Sequence, residues 1–369
     1  MGSARQPRVA HWTVVAPLWA TAVLIATWAR HGHPVVLVVI GLSLVGAVLS
    51  AVHHAEVIAA RIGEPAGSVL LAVAVTVIEV GLIVTLMAAG TPGASTYARD
   101  TVFAAVIISL NGIVGLSLLA GAWRHRPVSF NAFGSGSALA TVVTLAGVCL
   151  VLPGFTVTAA GLQYTAPQLV FAGVVSLALY LGFVFTQTVR HRDFFVPLPT
   201  EGRDGNGPTE GEHVSPPSRR NALLSLALLL AALVSVVGLA KLLSPTIEKA
   251  VTGLNLPYAV VGVVIALVVL APETVAALNN ALRNRVQISL NLAYGSAMAS
   301  IGLTIPTIAV AMIWLPGPLT LGLEPMQIVI LTLSVIVSVL TLAQGRALAL
   351  QGTVHLVLLA TFLFLSAQP

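Results

Sequence analysis

The sequence predicts an all-α polytopic membrane protein of about eleven spanning helices, one extra N-terminal helix followed by two inverted five-helix repeats. Three observations carry this. Of 369 residues, 57% are hydrophobic and only 8% charged, with a mean hydropathy of +0.99, whereas a soluble domain carries roughly 25% charged residues. The apolar residues come in blocks about 20 residues long, the length a helix needs to cross the hydrocarbon core. After the first block, the rest fall into two sets of five on either side of one long polar stretch.

In chain order, Arg5 and Arg8 precede an apolar run over 12–29, which is long for a signal-peptide core and reads as a first span. Five further blocks follow at 34–53, 66–90, 101–122, 136–153 and 166–188. Residues 190–220, which contain EGRDGNGPTEGEHVSPPSRR, are rich in Gly, Pro and charge and cannot pack a core. They read as a cytoplasmic linker. The second set lies at 221–243, 256–280, 287–314, 325–343 and 348–366. The chain therefore divides into 1–33, 34–189, 190–220 and 221–369. If the N-terminus is cytoplasmic, the opposite side keeps only Arg30, Arg99, Lys241 and Lys249 of the 17 Lys and Arg, as the positive-inside rule requires. The C-terminus is then outside. The first set begins outside and the second inside, the mark of an inverted repeat. The basic residues stand singly between apolar runs, so the pI near 9.9 reports topology and not a nucleic-acid partner. The single cysteine, Cys149, excludes a disulfide framework.

Of the 12 carboxylates, only Glu79 and Glu273 fall within apolar spans, one in the second span of each half. An ionised side chain at the bilayer centre costs at least ~2.5–3.5 kcal/mol, and no Lys or Arg falls in the core of an expected span to neutralise it. Two carboxylates near the midplane can hold one divalent cation or about two protons, but not both. That competition is the minimal mechanism of a cation/proton antiporter. Pro272 directly precedes Glu273 and removes a backbone donor, which frees a carbonyl one turn earlier. Thr76 and Asn279 are candidate oxygen donors beside the two glutamates. Asn111 and Ser296 are further candidates on adjacent spans, which also carry Ser109, Asn280, Ser300 and Thr304. Interhelical hydrogen bonding is the commoner role of such residues in membranes. His53, His54 and Glu56, with Glu64 just before Pro65, flank the third span as an entrance or pH sensor, or as a solvated helix end. His355 within the last span reads as a buried neutral imidazole. No GxxxxGK[ST] or HExxH motif occurs and no Asp lies in a span core, which argues against a bound cofactor and against an intramembrane enzyme. No continuous polar face suggests a channel. The sequence sets no oligomeric state.

Two stretches carry a family resemblance: HHAEVIAARIGEPAGSVLLAVAVTVIEVGLI and APETVAALNNALRNRVQISLNLAYGSAMASIGLTIP. They resemble the bacterial ChaA-type Ca²⁺/H⁺ (Na⁺/H⁺, K⁺/H⁺) antiporters of the cation/Ca²⁺ exchanger superfamily. Phe130-Asn131, Gly345 and Gly352 match turns of related exchangers. The resemblance implies the five-plus-five inverted repeat in a bacterial inner membrane, with Glu79 and Glu273 carrying the transported Ca²⁺ (or Na⁺ or K⁺) and protons. Vacuolar exchangers carry a Gly-Asn-Ala type stretch before each key glutamate. Here those places read Val75-Thr76-Val77-Ile78 and Leu270-Ala271-Pro272, so a weaker backbone break is expected in the first repeat.

Overall fold

Lipid offers the backbone no hydrogen-bond partner, so each apolar block must satisfy its own N–H and C=O groups as a helix. The computed structural model describes residues 11–28, 33–63, 66–90, 93–196, 217–315 and 317–369. Arg5, Arg8, Glu64 and residues 197–216 of the expected linker lie outside them. The chain runs α1 (His11–Thr27), α2 (Pro34–Ile62), α3 (Ala66–Ala88), α4 (Tyr97–Ile107), a π turn (Ile108–Ile113), α5 (Val114–His125), β1 (Val128–Ser129), α6 (Ala132–Ala146) and α7 (Ala166–Phe185). It continues with α8 (Arg219–Gly253), α9 (Ala259–Val269), α10 (Ala271–Leu282), α11 (Val286–Gly302), α12 (Thr304–Ala311), α13 (Pro325–Leu342), β2 (Arg346–Ala347) and α14 (Ala349–Ala367).

All eleven expected blocks are helical. Among the described residues nine helices are long and apolar enough to cross a membrane, and the bent pair α9–α10 makes ten. The apolar α1, at 17 residues, is shorter than these. Outward faces carry Leu18, Ile25, Val38, Leu42, Val170 and Val174, an apolar surface suited to lipid.

Three boundaries differ from the sequence reading in ways that matter. First, α2 continues nine residues past the expected end, because nothing breaks the helix until Gly63, at φ +80°. His53, His54 and Glu56 therefore ride on the last turns of α2. Second, α4 begins at Tyr97, which puts Arg99 and Asp100 inside a helix, both buried. The expected absence of basic residues from the spans is corrected here. Arg99 is buried because it is paired: Nε meets Asp100 Oδ1 at 2.8 Å, and the guanidinium meets Glu324 Oε1 at 3.1 Å. Lys241 likewise lies inside α8, its Nζ 5.8 Å from the Trp28 ring centroid. Third, the span holding Glu273 is bent by 51° between α9 and α10. Pro272 cannot donate to the carbonyl of Val268 and its ring would clash there, so α9 stops at Val269 and Pro272 takes the first turn of α10. By contrast α3 is unbroken around Glu79.

Every residue from Tyr97 to Gly115 is buried, so α4, the π turn and the start of α5 form the centre of the bundle. Around them stand α9, α11 and α14. Helices α1, α2 and α8 make a group tied by Trp19 to Ser43 (3.1 Å) and Thr21 to Ser235 (2.9 Å). Strands β1 and β2 pair antiparallel, Val128 opposite Ala347 and Ser129 opposite Arg346, which joins the α5–α6 connection to the α13–α14 connection. Phe130 N donates to Gly345 O at 2.9 Å beside this ladder. Cys149 is a buried free thiol.

Candidate ion-binding site

The unbroken α3 and the bent α9–α10 pair bring Glu79 and Glu273 to one cavity of ≈ 250 Å³. Its walls are α3, α7, the α9–α10 bend and α11. Ser68, Ala72, Val75, Thr76 and Glu79 come from one face of α3, as three- and four-residue spacing dictates. Gly295, Ser296, Ala299 and Ser300 come from α11. Tyr180, Phe183 and Val184 of α7 supply an apolar wall.

Glu79 Oε2 accepts hydrogen bonds from Ser300 Oγ (3.2 Å) and Thr304 Oγ1 (3.0 Å). Its Oε1 is buried with no partner, and so is Oε2 of Glu273. A buried polar atom without a partner costs about 1–3 kcal/mol, more for a charged group. Neither glutamate is in an ion pair among the described residues. Each thus presents an oxygen suited to a proton or a cation. Both line the same cavity. Two carboxylates on a cavity that also holds the hydroxyls of Thr76, Ser296 and Ser300 offer hard-oxygen donors, which suit alkali and alkaline-earth cations. Among the described residues no three His, Cys, Asp or Glu side chains cluster as a metal site.

Of the other residues singled out by the sequence, Thr76 and Ser296 line the cavity. Asn279 does not. Six residues beyond Glu273 on α10, it faces another way and is exposed. Asn280 Nδ2 donates to its own helix at Ala276 O (2.9 Å). Asn111 lies in the π turn and faces away from the cavity, into a buried polar cluster. Its Nδ2 donates to Ser334 Oγ at 2.8 Å and its Oδ1 meets His355 Nδ1 at 3.2 Å. On its other side His355 Nε2 lies 3.2 Å from Thr341 Oγ1. His355 is buried, as expected for a histidine within the last span.

His53, His54 and Glu56 do not line the cavity either. His54 is buried between helices, with Nε2 at 2.8 Å from Thr13 O and Nδ1 at 3.2 Å from Ser225 Oγ. That is an α1–α2–α8 tie, not an entrance. His53 packs its ring 6.4 Å from that of Trp12, and Glu56 is exposed on α2.

The sequence reading named Ser300 and Thr304 only as adjacent polar residues, yet they are the direct partners of Glu79. Their signal was the spacing of four from Ser296 through Ser300 to Thr304, which puts all three on one helix face. Gln187 and Asn291 also line the cavity, and no pattern in the sequence separated them from other polar residues near span ends.

Comparison with known proteins agrees with this architecture. The chain is 47% identical to the putative ionic transporter y4hA of Sinorhizobium fredii, over 100% of both chains. It is 32% identical to the sodium-potassium/proton antiporter ChaA of Escherichia coli, over 95% of this chain and 94% of that one. Its fold is similar to the solved structure of native YfkE, with a TM-score of 0.74 at 16% identity, covering 97% of this chain and 100% of the other. Residues 32–189 and 224–368 match the sodium/calcium exchanger protein family. A membrane-embedded helical bundle, two glutamates on one cavity and these matches lead to the same place: the chain belongs to the sodium/calcium exchanger family and is a cation antiporter.

Proposed function

We propose that the protein exports Ca²⁺ in exchange for protons, with Glu79 and Glu273 as the shared carrier of both. The supporting observation is the pair of unpartnered carboxylate oxygens, Glu79 Oε1 and Glu273 Oε2, on glutamates lining one cavity. Two carboxylates are neutralised by one divalent ion or by two protons, and both loaded forms are then free of net charge. Thr76, Ser296, Ser300 and Thr304 supply hydroxyl oxygens, and the carbonyls released at the α9–α10 bend complete the shell that a hard cation needs. The cavity reaches toward Arg192, so with the basic loops cytoplasmic its mouth opens to the cytoplasm. The ion gradient drives the cycle, with no cofactor and no covalent chemistry.

The similarity to the sodium-potassium/proton antiporter ChaA favours a second reading, Na⁺ or K⁺ exchange for protons. On the same pair, one monovalent ion and one proton also balance the charge. Everted membrane vesicles separate the two. Ca²⁺, Na⁺ and K⁺ are added singly to vesicles holding an acid-inside pH gradient. The expected result is that Ca²⁺ collapses the gradient and that Glu79→Gln and Glu273→Gln each abolish the response. Collapse by Na⁺ or K⁺ alone selects the second reading. Variants that transport as well as wild type would sink the glutamate-pair mechanism for either ion.

A further inference from the structure

The cavity does not end at the glutamates. A second space of ≈ 340 Å³ shares Ser68, Gln187 and Asn291 with it and is bounded further out by Thr188, Arg192, Phe195 and Val196. The rim here is a built turn. A π turn, Thr186–Arg190, ends the seventh helix, and a 3₁₀ turn, Arg192–Phe194, follows. His191 N donates to Thr186 O at 2.8 Å and Phe195 N to Arg192 O at 2.9 Å. Phe195 is buried edge-on against Phe183, with ring centroids 5.6 Å apart. Asn291 Nδ2, on α11, donates to Phe195 O at 2.6 Å. Asn291 Oδ1 accepts from Gln287 Nε2 at 2.9 Å, and Gln287 Oε1 accepts from Asn131 N at 2.7 Å. The turn is therefore fixed to the helix that carries Ser296 and Ser300.

Among the described residues Arg192 is the one charged residue lining this outer space. It is exposed and in no ion pair among the described residues. Its sequence neighbours Arg190, His191 and Asp193 are exposed and do not line the space. A cation moving between this mouth and the glutamates passes a fixed positive charge, where a bare attractor would carry a carboxylate.

We propose that Arg192 is an electrostatic filter at the mouth of the cation path, which sets the cation concentration at which exchange begins and discriminates against divalent ions. This rests on the glutamate cavity being the transport site. A fixed unit charge at ~10 Å in water lowers monovalent cation occupancy about twofold and divalent occupancy about fourfold. The divalent penalty is the square of the monovalent one. Added salt removes both, since screening sets in over about 10 Å at 0.1 M.

The test measures the half-saturating concentration of each transported cation in everted vesicles at low ionic strength, for wild type, Arg192→Lys, Arg192→Gln and Arg192→Glu. Arg192→Gln should lower it about fourfold for Ca²⁺ and about twofold for Na⁺ or K⁺, and Arg192→Glu by about the square of each factor. Arg192→Lys should stay near wild type, the maximal rate should hold, and choline chloride at about 0.5 M should erase the differences. Equal half-saturation in all four proteins, or a shift that persists in choline chloride, overturns the filter while leaving the glutamate mechanism standing. A wild-type protein that moves no protons with any cation overturns both.

Discussion

One oxygen of Glu79 takes two hydroxyl hydrogen bonds and the other takes none, so the two oxygens of one carboxylate have different tasks. In the proposed mechanism Ser300 and Thr304 hold the group in place while Oε1 exchanges its ligand. A hydrogen bond to a charged group contributes about 1.5–3 kcal/mol. Thr304→Ala should therefore weaken cation binding about tenfold, read as a raised half-saturating concentration with unchanged protein yield in the membrane. An unchanged value would mean that Glu79 is oriented by other contacts. At this scale the sequence revealed most where chemistry conflicted with surroundings. A carboxylate in an apolar run stands out by itself, which is why Glu79 and Glu273 were legible. Asn111 was named only as a polar residue on an adjacent span, and in the structure it sits in a π turn bonded to Ser334 and His355. No residue type announces such a turn. The α2 histidines misled: whether HHAE stands in water or between helices depends on α8, more than 160 residues away.

The two glutamate-bearing elements are built differently. α3 is a continuous rod, whereas α9 and α10 meet at a 51° bend fixed by Pro272. Pro272→Ala restores a donor and permits one straight helix. In the interior of one straight helix Ala is about 3 kcal/mol more favourable than Pro, but Glu273 is carried out of position. The expected outcome is a protein at least as stable to heat in detergent, with transport reduced tenfold or more. Full transport in that variant would separate the bend from function. Between α5 and α14 the packing is close enough that a methyl group on Gly352 would stand 2.7 Å from Gly115 O. Gly352→Ala must push backbone against backbone. It should cost about 1–3 kcal/mol, seen as a lowered detergent melting temperature and reduced yield. Elements were largely legible, since backbone satisfaction in lipid forces every long apolar block to be a helix. Their ends were less so. The extensions of α2 and α4 contain charged residues that a span reading trims away, and Arg99 is tolerated there only because Asp100 and the distant Glu324 reach it.

For the molecule as a whole, the proposed competition of proton and cation for the same two carboxylates requires that apparent cation affinity rise with pH. The steepness counts protons. Below the range in which the pair loses its protons, a divalent ion displacing two should gain affinity by up to about 100-fold per pH unit, and a monovalent ion displacing one by about tenfold. Equilibrium binding to purified protein across pH measures this directly, and a flat profile would rule out shared oxygens. The global layout follows from composition and block count. Which side chains meet in the middle does not, because Glu79, Ser300 and Glu273 are brought together by packing between halves that the sequence keeps far apart.

The absence of any described cationic partner for Glu79 and Glu273 has a kinetic consequence. Stripped of its passengers, the binding site would be a doubly negative centre in a low-dielectric interior, and reorienting such a centre across the bilayer is prohibitively slow. In the proposed cycle only the loaded forms turn over. The proposed mechanism is therefore an obligate swap with little slippage: under it neither ion runs down its own gradient alone, and the stored energy of one is not dissipated without moving the other.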